Sequence, residues 1–64
     1  MRTIDIEGAD GNAFALLGHA KSFAKQLDWD AKAITDEMKA GDYDHLLDTF
    51  EKHFGSFVEI VGRD

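Results

Sequence analysis

Sixty-four residues without a single cysteine leave this chain only the burial of apolar side chains to hold it together. A domain this short buries only about 60% of the surface its unfolded form exposes, so its stability margin is thin. Disulfides and thiolate zinc sites are excluded outright. A partner subunit is the remaining common support for so small a core, and a homodimer is expected. The missing bridges also suit a reducing cytoplasm. Hydrophobic residues make up 44% of the chain and seven are aromatic, which is the composition of a folded protein. No apolar run approaches the roughly 18–20 residues that cross a bilayer, and no signal-peptide pattern opens the chain. The expected setting is cytoplasmic, with no membrane contact.

The hydrophobic pattern divides the chain into five elements. Arg2–Glu7 alternates, with Ile4 and Ile6 on one side and Thr3, Asp5 and Glu7 on the other, as a half-buried strand does. Gly8 to Asn12 reads as a turn in which Asp10 can cap the following helix. That helix is expected from about Gly11 or Asn12 to Leu27. Ala13, Leu16, Leu17, Ala20, Phe23, Ala24 and Leu27 gather on its broad face. Ala15, Gly18 and Ser22 form a second, narrow stripe with Phe14 at its edge. A mid-helix glycine costs about 1 kcal/mol relative to alanine, and close approach of another backbone would offset that cost. The stripe therefore predicts either a fold that wraps this helix on two sides, the favoured reading, or contact with a second molecule.

Asp28-Trp29-Asp30 predicts the start of a second helix, with Asp30 as cap and Trp29 placed to pack on Ile34. Ala31, Ile34 and Met38 make its buried stripe, and Gly41 can supply a left-handed stop. The third helix begins at a cap, Asp42 or Asp44, and runs to about His53 before Gly55. Tyr43, Leu46, Leu47, Phe50 and Phe54 fall on one side, while Asp44, Asp48 and Glu51 form a separate stripe. Asp48 and Lys52 are spaced for an ion pair along the helix. Phe57–Val61 alternates as a second strand, and Gly62-Arg63-Asp64 is expected to fray. The fold class that follows is α+β, a single domain spanning 1–64, in which three helices pack on a two-stranded sheet in the order strand-helix-helix-helix-strand. The pattern leaves open whether the strands run parallel or antiparallel.

The formal charge of −6 is concentrated in one segment. Residues 28–51 hold eight acids against Lys32 and Lys39, while the charges on either side balance. Such a field repels nucleic acid and attracts basic partners, and direct DNA or RNA contact is not expected. The loop at Gly8–Asn12 lacks the spacing and the lysine of a phosphate-binding motif. His19, His45 and His53 include no pair three or four residues apart, so no metal or cofactor is expected. Ser22 and Ser56 have no partnering base, and a non-enzymatic protein is expected.

Two stretches, Asp10-Gly11-Asn12-Ala13-Phe14 and Gly41-Asp42-Tyr43-Asp44-His45-Leu46-Leu47, together with the strand before the first, resemble small uncharacterised proteins of phage and prophage-like elements. The resemblance implies no catalytic residues. It implies a bacterial, or phage-infected bacterial, cytoplasm as the setting. Asn12, Asp44 and His45 have no evident structural duty at this level and join Asp48 and Glu51 as candidate partner-binding residues. The leading expectation is a protein-interaction module that offers an acidic helical surface to a basic protein, and the resemblance implies a host-directed regulator. The alternatives are a small-molecule or metal-binding module built on Asn12, Asp44 and His45, and a structural domain whose charge only keeps it in solution.

Overall fold

The computed structural model describes residues 2–8 and 11–63. Its elements are β1 (Arg2–Asp5), α1 (Ala13–Gln26), α2 (Ala31–Met38), α3 (Tyr43–Phe54) and β2 (Val58–Val61). The three helices pack together with a two-stranded sheet, as the alternating and helical patterns predict. The strands are parallel, with Arg2 opposite Val58 and Ile4 opposite Ile60. Paired residues in a parallel ladder share a face. Ile4 and Val58 are therefore sealed beneath the helices, while Thr3 and Glu59 stay exposed on the outer side. The ladder continues past both strands, since the Arg2 N–H donates to the Phe57 carbonyl at 3.2 Å and the Ile6 N–H to Val61 at 3.1 Å.

Each helix starts on a side chain that accepts a backbone N–H which would otherwise have no partner inside the helix. Asn12 caps α1 by accepting from the Ala15 N–H at 2.7 Å. Asp30 caps α2 through Ala33 at 3.1 Å, and Asp42, rather than Asp44, caps α3 through His45 at 2.9 Å. The expected cap Asp10 lies outside the described residues, and Asn12 does that work. Asp28 ends α1 instead of opening α2. Its φ of 60° is left-handed, its N–H donates to the Lys25 carbonyl, and the next N–H, of Trp29, reaches back to Ala24 at 2.8 Å. Those two bonds are a Schellman stop, in which an aspartate occupies the place usually held by glycine. Gly41 and Gly55 are not left-handed. Gly41 is small for another reason: a Cβ there would sit 2.7 Å from the His45 ring.

The core is aromatic at its centre. Phe50 and Phe54 are fully buried with ring centroids 5.0 Å apart, and Phe23 comes within 5.7 Å of Phe54 from α1. Leu16, Ala20, Ala24, Ile34, Met38, Leu46 and Leu47 close around them. Trp29 stacks on Phe54 at 5.7 Å. Two positions depart from the helical pattern. Tyr43 and Leu27, expected inside, are partly exposed, while Phe14, placed outside the broad face, is open to solvent at 86% exposure. Tyr43 lies at the first turn of α3, where its hydroxyl donates to the Gly11 carbonyl. Nothing lies within 4 Å of the position a Cβ would take at Gly18. The favoured reading, in which the fold wraps α1 on two sides, is thus corrected. The Gly18 and Ser22 stripe faces outward.

Candidate acidic face and the clasp beside it

The third helix turns its carboxylates away from the core, as its sequence dictates. Leu47 and Phe50 are buried, while Asp44, Asp48 and Glu51 are exposed. What the sequence conceals is the group that spans them. The Arg63 guanidinium donates from Nη2 to Asp48 at 2.5 Å and from Nη1 to Glu51 at 3.1 Å, and Nη2 also reaches the Asp44 carbonyl at 3.3 Å. Hydrogen bonding to Asp48 first, and then to Glu51, raises the Arg63 pKa above its ordinary value. The expected fraying is therefore corrected for Gly62 and Arg63, while Asp64 lies outside the described residues. Gly62 has a left-handed φ of 83°, and a Cβ there would come within 2.9 Å of the Glu7 side chain. This turn delivers Arg63 back across α3. The like charges of Asp48 and Glu51, three residues apart on one helix face, would repel each other, and one forked cation between them relieves that repulsion.

The expected Asp48–Lys52 pair does not form. Lys52 instead donates to Glu37 on α2 at 2.9 Å, and His53 meets the other oxygen of the same carboxylate at 2.9 Å. His45, a predicted partner-binding residue, turns away from the acidic stripe. Its Nε2 lies 2.8 Å from the Glu37 carbonyl oxygen and 3.4 Å from the hydroxyl of Thr49, which is itself buried. Two histidines of α3 thus grip one residue at the end of α2, His45 through the backbone and His53 through the side chain. Asn12 and His45, read as free of structural duty, both carry it. Of the five candidates, the structure brings Asp44, Asp48 and Glu51 together under Arg63. The Tyr43–Gly11 bond ties the loop bearing Asn12 to the start of α3. Glu37, Lys52 and Arg63 escape sequence reasoning because their pairings join residues 12 to 16 apart across separate elements, where no periodic signal exists.

Hydrogen bonds from His53, and then from Lys52, lower the Glu37 carboxyl from 4.5 to about 2. A carboxylate depressed in the folded state stabilises above its unfolded pKa, and that stabilisation is lost as pH falls through the folded value. Glu37→Gln is expected to lower the urea midpoint at pH 7. The difference from the parent should shrink between pH about 4.5 and about 2, where the parent carboxylate protonates. A constant difference across that window would show that Glu37 acts by packing alone. Asp36, lowered by its hydrogen bond to Lys32, titrates in both proteins and cancels in the comparison.

Among the described residues no three histidine, aspartate or glutamate side chains converge as metal ligands would. No buried side-chain nitrogen or oxygen among them lacks a hydrogen-bond partner. No described helix is long and apolar enough to cross a membrane. The arrangement can hold a guanidinium on one face of α3 and lock α2 to α3 on the other. No protein-family model matches the chain, and no curated protein or solved structure is significantly similar to it.

Proposed function

We propose that the protein is a non-enzymatic interaction module whose acidic face on α3 receives a basic partner protein, in a bacterial or phage-infected cytoplasm, where it would act as a host-directed regulator. The supporting observation is the seat of Arg63. Two carboxylates and a backbone carbonyl, spaced to take both arms of a guanidinium, are the acceptors that an arginine of a partner requires. The pair is solvent-exposed on the carboxylate side, Asp48 being 68% exposed. An exposed pair contributes only about 0–1 kcal/mol, so a partner's arginine can replace Arg63 at little cost. Capture of a basic protein from bacterial lysate by the immobilised chain should fall about tenfold when Asp44, Asp48 and Glu51 are changed together to lysine. It should rise for Arg63→Ala, which vacates the seat. Unchanged capture by the triple variant would exclude this face.

Self-association is the second part of the proposal, and it is favoured by the open outer edges of β1 and β2 and the uncovered Phe14 and Gly18 on α1. Light scattering at high concentration should return twice the 7.1 kDa chain mass. A mass of one chain would end that part without touching the acidic face.

A further inference from the structure

We infer that the groove between the start of β1 and the last turn of α1 is a binding site for a small monocarboxylate with an aromatic or short aliphatic body. The site is distant in kind from the acidic face: it is built on other elements and carries the opposite charge. Its volume is about 400 Å³, and its lining is Arg2, Phe23, Gln26, Leu27 and Phe57. That size is near the lower end of the range of about 300–1,000 Å³ found for ligand clefts.

The geometry follows from the parallel register. The Arg2 N–H bonds to the Phe57 carbonyl, which sets these two residues side by side. Phe57 stands nearly perpendicular to Phe23, at 89° and 6.4 Å, so the two rings form adjoining walls. Leu27, 40% exposed, continues the apolar lining from α1. The Arg2 guanidinium lies 5.2 Å from the centroid of the Phe23 ring. A cation over a ring face spends its π surface there and keeps its in-plane N–H donors for another acceptor.

Among the described residues the protein supplies no such acceptor. Lys32, Lys39, Lys52 and Arg63 all have carboxylate partners. Arg2 has none among the described residues, in a chain with thirteen acids. Arg2 is the one charged residue of the lining, which itself contains no acid. A planar carboxylate fits the fork of the guanidinium, and the Gln26 amide can donate beside it. The apolar body of the ligand then lies against Phe23, Phe57 and Leu27. A ligand with several charges has no second cation in the lining to meet it.

Trp29 reports on the site without a label, since its ring is 6.3 Å from that of Phe57 and it is the sole tryptophan. The full chain is titrated with 4-phenylbutyrate and with its neutral amide, following Trp29 fluorescence and the backbone amide shifts of Arg2, Gln26, Leu27 and Phe57. The acid is expected to bind saturably with shifts at these residues, and the amide about fivefold more weakly. Arg2→Gln should abolish the preference for the acid. Gln26→Glu, an exposed change that leaves the core intact, should weaken the acid and spare the amide. Equal binding of acid and amide, no saturable response, shifts centred elsewhere, or a Gln26→Glu variant that keeps the preference would each overturn the assignment and leave Arg2 as a cover over Phe23 only.

Discussion

Phe50→Ala is expected to lower the melting temperature by about 15 °C or more. The side chain is fully buried and touches the rings of both Phe23 and Phe54, with centroids at 6.3 and 5.0 Å. Truncating a buried phenylalanine costs about 3–5 kcal/mol through lost transfer energy and the cavity left behind. A domain of 64 residues has a total stability of about 3–10 kcal/mol, so this one change removes a third of it or more. Thermal melts followed by far-UV circular dichroism measure the effect. A fall of less than about 5 °C would mean that α1 and α3 are not held together through Phe50.

Gly11→Ala and Gly18→Ala are expected to act in opposite directions. At Gly11 an added Cβ would lie 1.8 Å from the Ile6 carbonyl oxygen and 2.6 Å from its carbon, both backbone atoms. Neither side can yield cheaply. The Ile6 N–H is tied to Val61, the Gly11 N–H donates to Gly8, and the Gly11 carbonyl accepts from Tyr43. The alanine variant must open the junction between β1 and α1, at a cost of about 2 kcal/mol or more. At Gly18 the same methyl meets open space in mid-helix, and the higher helix propensity of alanine should stabilise by up to about 1 kcal/mol. Chemical denaturation of the two variants side by side gives the comparison. A Gly18→Ala protein that loses stability, or that loses self-association at unchanged stability, would show that the bare stripe is covered in solution.

Where a residue's role depends on neighbours three or four positions away, the sequence already shows it. Leu46, Leu47, Phe50 and Phe54 recur at the helical period, and the structure buries all four. Asp30 and Asp42 stand just before their apolar runs, and both cap. The strands alternate, and Ile4 and Val58 face inward. Strand direction was not legible, because it depends on how the three helices stack, and no local pattern encodes that. Asp28 misleads because aspartate serves equally as a cap before a helix and, less often, as a left-handed residue after one. The choice between these is made by the return of the Trp29 N–H to Ala24. The acidic stripe was visible and its counter-ion was not. Arg63 meets Asp48 only because the turn at Gly62 folds the chain back, and a charge carries no mark of its distant partner. His45 looked unemployed for the same reason, since its acceptor is a backbone carbonyl on another helix.

Among the described residues β1 pairs with β2 alone, Arg2 beside Val58 and Asp5 beside Val61. On a ribosome, β1 therefore emerges with nothing to bond to, and it must wait until every helix has been synthesised. Nascent helices can begin to associate early, but the sheet can close only once β2 has emerged, when the entropy of joining distant segments has to be met at once. Throughout that interval Ile4 and Ile6 travel as an unpaired apolar ribbon. The charges at Arg2, Asp5 and Glu7 interrupt that ribbon and discourage neighbouring nascent chains from adding to it.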